Sequence, residues 1–141
     1  MLPQAKNTRI TKTAGRAIVW PQNYSIRLPG SNSRPEPDVT LLRWRDDYYA
    51  NARPTPQDVL LVIEVAESSV QRDRTVKGPL YAEAGIPEYW IVNLQDQVIE
   101  VYSNPVKGEY KRAKQAKRGA TLPLPGGLAA VIQVSDILGG R

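Results

Sequence analysis

The densest run of apolar residues lies near the middle of the chain, at residues 59–65. Six of these seven residues are Val, Leu or Ile, and the seventh is Glu64. A short β-branched run between turn signals predicts a strand that is buried on both faces. A carboxylate inside such a strand has to be compensated by a metal ion, by a basic side chain, or by a proton that a raised pKa retains. Glu64 is therefore the first candidate for a functional residue.

The apolar pattern on either side of this run predicts a sheet. Apolar and β-branched residues between clusters of Pro, Gly, Asn and Asp are the signal for each strand. The C-terminal stretch 122–138 is apolar and interrupted by Pro and Gly, which predicts a packed cap ending in a short helix at its last four residues. The strands are expected at residues 16–20, 24–28, 39–44, 86–93, 98–103 and 109–119.

Residues 68–84 predict the main helix, because apolar residues recur there at helical spacing. Ser68 or Ser69 is the expected N-cap, and Asp73 is the alternative for a shorter helix. The Gly-Pro pair at residues 78–79 predicts a kink or a late start near Lys77.

The length of 141 residues suits a single domain, which we expect over residues 16–141. Residues 1–15 are basic and lack strand or helix periodicity, so a flexible arm is expected there. No apolar run approaches the roughly 18 residues of a membrane span, and no signal-peptide core is visible. We therefore expect a soluble cytoplasmic protein with no membrane partner.

The chain contains no cysteine and no histidine. The usual zinc sites and Ser-His-Asp catalysis are therefore excluded. Catalysis has to rest on carboxylates, Lys, Tyr, Ser or Arg. A catalytic metal would be an ion that prefers oxygen ligands, such as Mg²⁺ or Mn²⁺.

The net charge of +5 is unevenly distributed along the chain. Residues 36–102 carry twelve acidic and six basic groups, whereas residues 1–35 carry six basic groups and no acid. Residues 103–141 again carry an excess of basic groups, seven against two. Basic flanks around an acidic centre suit an enzyme that holds cations and contacts a polyanion. Solvated faces that differ by chance are an equally good explanation.

Three residues form the most promising constellation. Asp38 follows a proline at the start of a predicted strand, Glu64 lies in the next strand, and Lys77 lies on the helix that follows. An Asp and a Glu on neighbouring strands can share a divalent ion. A lysine nearby can orient water or stabilise the charge that develops on a phosphate. These are the groups that phosphodiester hydrolysis requires.

Three segments of the sequence, PEPDVTLL, VLLVIEVAESS and DRTVKGPLYAEAGIPEYWIVN, resemble the Uma-two group of predicted restriction endonucleases. This group is part of the PD-(D/E)XK nuclease superfamily, and the resemblance covers residues 16–138. It implies a restriction-endonuclease-like α/β (α+β) fold, with a mixed sheet flanked by helices, Mg²⁺ as cofactor and DNA as substrate. It matches Asp38 to the aspartate of the PD motif and Glu64 to the second acid, so that both would be metal ligands and catalytic, with Lys77 supplying the cation.

The sequence departs from the pattern of this family at two places. The superfamily lysine belongs two residues after the glutamate, where this chain has Ala66. Members of the group also usually begin with further helices and an acidic hairpin, which this sequence lacks, so a homodimer is expected to cover the sheet. These departures favour an alternative: a catalytically silent, shortened relative that binds nucleic acid or another protein.

Each candidate also has a purely structural explanation. Asp38 could be a turn former that bonds its own backbone, and Glu64 could form a buried ion pair with Arg72, Arg74 or Lys77. Asp73 could pair with Lys77 one turn later. The basic strand near the C-terminus could be a nucleic-acid track or an edge strand whose charges prevent aggregation. Its candidate nucleic-acid-binding residues are Lys107, Lys111, Arg112, Lys114, Lys117 and Arg118.

Overall fold

The computed structural model describes residues 9–12, 15–20, 28 and 35–139. In this part of the chain, seven strands form one sheet, and their order in the sheet follows their order in the sequence. All neighbours pair antiparallel except β4 and β5, which are parallel. The strands are β1 (Arg9–Lys12), β2 (Gly15–Trp20), β3 (Val39–Arg43), β4 (Val59–Ala66), β5 (Glu88–Asn93), β6 (Val98–Val106) and β7 (Glu109–Lys117).

A parallel pair needs a crossover connection, and a helical segment supplies it between β4 and β5. This segment consists of α1 (Val70–Arg72), a π-helical turn (Asp73–Lys77) and α2 (Gly78–Glu83). The Gly78 N–H bonds to the Asp73 carbonyl, five residues earlier. Pro79 has no N–H to donate and its ring crowds the preceding turn, which accounts for a widened turn directly before it. The kink predicted near Lys77 is thus a π-helical turn.

The central strands of the sheet are buried on both faces. On one face, Leu61 and Trp90 pack beneath the C-terminal cap, which consists of β8 (Thr121–Pro123), β9 (Val131–Gln133) and α3 (Val134–Leu138). On the other face, Val62 and Tyr89 pack beneath the helical segment. Burial of each large apolar side chain contributes roughly 1.5–3 kcal/mol. β4 is thus an interior strand whose residues contribute to both cores, as the sequence predicts.

The prediction of an α+β domain with a mixed sheet is confirmed. The flexible arm predicted over residues 1–15 is wrong at Arg9–Lys12, because these residues form β1 and pair with β2. Main-chain pairing needs no alternation of side chains, so the sequence pattern does not reveal such a strand. Residues 1–8, 13 and 14 lie outside the described residues, as does the strand predicted at 24–28 apart from Leu28, which is buried.

Within the described residues, no helix combines the length and the apolar character that crossing a bilayer would require.

Candidate functional site

Glu64 lies on the face of β4 that the helical segment covers, and it is only 3% exposed. Its Oε2 accepts a hydrogen bond from the hydroxyl of Tyr81 at 2.8 Å and one from Nζ of Lys77 at 3.3 Å. A buried carboxylate needs such partners because it has lost its hydration. Of the three ion-pair partners considered from the sequence, Lys77 is the one that the structure places on Glu64.

Asp38 directly precedes β3 and lies next to Glu64 along the sheet. Val39 pairs with Ile63, so Asp38 and Glu64 are the next residues on the two neighbouring strands. Oδ2 of Asp38 accepts a hydrogen bond from the N–H of Val65 at 2.7 Å. This bond reaches across to β4, which a simple turn former would not require. The half-buried Asp38 therefore belongs to the same part of the sheet as Glu64.

Lys77 also contacts a second acid, Asp73, at the start of the π-helical turn. Nζ of Lys77 lies 3.6 Å from Oδ1 of Asp73, and Ser69 donates to Oδ2 of Asp73 at 3.5 Å. Asp73 is only 2% exposed. The i,i+4 pair considered from the sequence is therefore present, and it brings a third carboxylate to the neighbourhood of Asp38 and Glu64.

The charge of Asp38 influences the protonation of both Glu64 and Asp73. Burial raises the pKa of Glu64, which the hydrogen bond from Tyr81 and the charge of Lys77 partly offset, while the charge of Asp38 raises it further. Burial likewise raises the pKa of Asp73, Lys77 opposes the increase, and Asp38 adds to it. Repulsion of this kind means that Asp38 lies within electrostatic range of both other carboxylates. A bound cation would reduce the repulsion between these carboxylates.

The carboxylates of Asp38 and Glu64 are suitable ligands for a hard divalent cation. Carboxylate oxygens are the ligands that Mg²⁺ and Mn²⁺ prefer, and Mg²⁺ sites often use only one or two carboxylates besides water and phosphate. Among the residues that the structure describes, no three acidic side chains form a ready-made metal cluster. Asp38 and Glu64 could therefore hold Mg²⁺ as a two-carboxylate site that a phosphate or water would complete.

A second buried polar network lies on the same face of the sheet, and sequence reasoning missed it. Glu100 of β6, which is 3% exposed, accepts hydrogen bonds from Nε and Nη2 of Arg74 at 2.9 and 2.5 Å. Asn93 donates to Glu100 at 3.0 Å and Tyr102 donates at 2.6 Å. Burial raises the pKa of Glu100, but the bonds from Arg74, Tyr102 and Asn93 outweigh it and hold that pKa at about 2. This ion pair fixes the start of the π-helical turn to the sheet.

The signal for Glu100 lies in the strand register. Glu64 pairs with Ile91, and Ile91 pairs with Glu100, so both glutamates face the helical segment. The sequence alone shows Glu100 only as the polar member of an alternating strand, which is usually the solvent side.

The basic residues near the C-terminus lie along β7 and the two turns beside it. β7 is an edge strand of the described sheet. Lys114 pairs with Val101, and Lys117 pairs with Val98. The two lysines are three residues apart in the strand, so their side chains lie on opposite faces of the sheet. Lys111 contacts Glu109 at 3.0 Å, and Arg118 donates to Gln97 and to the carbonyl of Gly139. The predicted track is thus divided between the two faces of the sheet, and its role in binding nucleic acid stays a prediction.

The mixed sheet and its helical crossover form a restriction-endonuclease-like α+β fold. The fold is similar to that of a solved structure described as a putative nuclease belonging to DUF820 from Anabaena variabilis ATCC 29413. The TM-score is 0.61 and the sequence identity is 16%, with 86% of this chain and 68% of that chain covered.

The family model Uma2, described as putative restriction endonuclease, matches residues 4–135. The match spans well over half of the chain, and the chain therefore belongs to the Uma2 family. The resemblance noted in the sequence is confirmed. No curated protein matches the chain significantly.

Proposed function

We propose that this protein is a Mg²⁺-dependent endonuclease that hydrolyses phosphodiester bonds in DNA. The observation that supports the proposal most strongly is the adjacency of Asp38 and Glu64 on neighbouring strands, with Nζ of Lys77 3.3 Å from Glu64. Membership of a family of putative restriction endonucleases supports nucleic acid as the substrate.

In this proposal each residue has a distinct task. Asp38 and Glu64 hold Mg²⁺, and Mn²⁺ could take its place. When bound, the metal would lower the pKa of water and neutralise charge on the phosphate. Lys77 contributes positive charge beside the scissile phosphate and orients the attacking water. Tyr81 holds the Glu64 carboxylate in place through its 2.8 Å hydrogen bond.

Ala66 explains why the cation would come from the helical segment. Ala66 is 2% exposed and packs in the core beneath that segment, together with Val70 and Tyr81. Position 66 lies on the same face of β4 as Glu64, where a lysine would supply positive charge and alanine supplies none. Lys77 reaches Glu64 from the crossover instead.

Cleavage of supercoiled plasmid with Mg²⁺ tests the proposal. Glu64→Gln and Asp38→Asn should each lower the cleavage rate by about 100-fold or more, the usual scale for loss of one group that stabilises transition-state charge. Glu67→Gln is the matched control, because Glu67 is an exposed glutamate three residues after Glu64. A protein that cleaves DNA equally well with Gln at position 64 would contradict the proposed role.

A second candidate function is a catalytically silent protein that binds nucleic acid or another protein. Two observations favour it: the described residues contain no ready-made cluster of three acids, and the superfamily lysine position is occupied by Ala66. Titration with Mg²⁺ and Mn²⁺ by calorimetry distinguishes the two candidates. The endonuclease should release heat that Glu64→Gln abolishes, whereas a silent binder should release the same heat with and without this substitution.

The homodimer expected from the sequence remains a proposal. Light scattering coupled to size exclusion, with and without DNA, measures it directly. A mass of one chain under both conditions would rule out a stable dimer.

A further inference from the structure

A pocket of about 220 Å³ lies beside the candidate site, between the helical segment and the hairpin of β6 and β7. The rings of Tyr89, Tyr102 and Tyr110 line it, and their centroids are 6.0–6.3 Å apart. The ring planes of Tyr102 and Tyr110 each lie within 29° of that of Tyr89. The pocket is smaller than the 300–1,000 Å³ that drug-sized ligands need. Its size and its aromatic lining suit one planar ring system.

The protein itself uses the hydroxyl groups of all three tyrosines. Tyr89 donates to the carbonyl of Asp73 at 3.1 Å, and Tyr110 donates to the carbonyl of Ile86 at 2.8 Å. Tyr102 donates to Glu100 at 2.6 Å. These bonds hold the three rings in place. Tyr89 is fully buried, whereas Tyr102 and Tyr110 are only partly buried and leave ring surface for a ligand. A ligand that stacks would pay little to order these side chains.

Two charged groups stand beside the aromatic lining. Arg74 lines the pocket while Glu100 holds its Nε and Nη2 atoms, and Glu109 lines it while Lys111 contacts one of its carboxylate oxygens. An arginine can stack on a ring or donate to ring acceptors, and a carboxylate accepts from an exocyclic amino group. A planar, uncharged heterocycle with donors and acceptors on its edge matches this combination, and nucleobases have that chemistry.

We propose that the pocket formed by Tyr89, Tyr102, Tyr110, Arg74 and Glu109 binds one nucleobase of the substrate, turned out of its stack. The inference rests on the proposed function in that it takes a nucleic acid as the ligand. It adds a base-holding subsite to a site whose other groups act on phosphate.

The helical segment connects this pocket to the candidate site. Arg74 and Gly78 line the pocket, and Lys77, which lies between them in the sequence, contacts Glu64 and Asp73. Tyr89 bonds to the Asp73 carbonyl at the start of the same turn. A base seated in the pocket would therefore hold its strand beside Lys77. Extruding a base costs least where it is mismatched or unpaired, so the pocket would favour single-stranded or distorted substrate.

Gly78 allows the pocket to be filled without removing any of its rings. Its φ and ψ of −54° and −53° are helical, so other residues fit the backbone there. A Cβ at this position would lie 3.8 Å from Tyr89, an ordinary contact. Gly78→Ala should therefore keep the fold and most of the pocket, whereas the larger side chain of Gly78→Leu would extend into the pocket.

The test measures binding of deoxynucleoside 5′-monophosphates by NMR, without metal, from the ring signals of the tyrosines. The nucleotides should shift the signals of Tyr89, Tyr102 and Tyr110 and leave Tyr48, a 40%-exposed tyrosine outside the pocket, unmoved. Deoxyribose 5-phosphate, which has the sugar and phosphate but no base, should shift none of the three. Stacking of one base changes affinity by about tenfold or more, so Gly78→Leu should weaken binding by at least that factor and Gly78→Ala should not.

Three results would contradict the proposal that the pocket binds a nucleobase: no shift with any nucleotide, equal shifts with deoxyribose 5-phosphate, or unchanged affinity in Gly78→Leu. The plasmid assay separates this inference from the proposed function. Nucleotide binding in a protein that does not cleave DNA would support the nucleobase pocket and contradict the proposed endonuclease activity. Cleavage without nucleotide binding would support the endonuclease activity and contradict the nucleobase pocket.

Discussion

The ion pair between Arg74 and Glu100 offers the most quantitative prediction. Replacing Arg74 by Met keeps much of the aliphatic bulk and leaves the Glu100 carboxylate, 4% exposed, without its charged partner. Asn93 and Tyr102 would still donate to it. Removing one member of a buried pair is strongly destabilising, because the remaining charge stays buried.

The depressed pKa of Glu100 sets the magnitude. Its change from 4.5 to about 2 corresponds to about 3 kcal/mol at about 1.36 kcal/mol per unit. This figure is an upper bound for the pair, because the Arg74 side chain is 36% exposed and solvent screens it. A carboxylate with a depressed folded-state pKa contributes stability above its unfolded pKa and loses it as the pH falls through the folded value. The contribution is therefore complete above about pH 5 and disappears toward about pH 2.

Urea denaturation followed by circular dichroism measures the effect at several pH values. Near pH 7, Arg74→Met should lower the free energy of unfolding by up to about 3 kcal/mol, and the deficit should shrink toward pH 2. Arg72→Met is the matched control, since Arg72 is an exposed arginine two residues earlier. A deficit that is the same at both pH values, or that Arg72→Met reproduces, would refute the reasoning.

Three further predictions concern the candidate site and the basic strand. The raised pKa of Glu64 means that the wild type should lose stability relative to Glu64→Gln as the pH rises from about 4.5; parallel stability curves would contradict this. Tyr81→Phe removes a bond that lowers the pKa of Glu64, so the acidic limb of the cleavage profile should move to higher pH; an unmoved limb would show that Glu64 does not set it. Arg112→Gln should reduce the slope of log affinity for DNA against log salt concentration by about one phosphate contact, and Arg53→Gln should not. The same slope in Arg112→Gln and the wild type would show that Arg112 does not contact DNA.

The sequence predicts the sheet well where burial imposes a pattern. β4 and β5 are recognisable because strands buried on both faces consist almost entirely of apolar residues. The sequence also predicts that Asp38 and Glu64 lie on successive strands, but their adjacency depends on the register in which β3 and β4 pair. β1 is not recognisable, because it is joined to the sheet by main-chain pairing that leaves no side-chain signature.

The helical segment shows where sequence reasoning ends. Gly78-Pro79 predicts an irregularity near Lys77, but a π-helical turn and the position of the Lys77 ammonium depend on how the segment packs on the sheet. The network around Glu100 was missed for the same reason. The position of Tyr110, which stacks against Tyr89 and lines the pocket beside the site, likewise depends on this packing.

The most direct test of the central claim is a crystal structure of the protein soaked in Mn²⁺, with data collected at a wavelength where manganese scatters anomalously. We predict an anomalous peak between the carboxylates of Asp38 and Glu64, with ligand distances of about 2.0–2.2 Å, as expected for small divalent ions. Glu64→Gln should lose the peak. A wild-type crystal with no peak there, in which the Lys77 ammonium group still contacts the Glu64 carboxylate, would contradict the account.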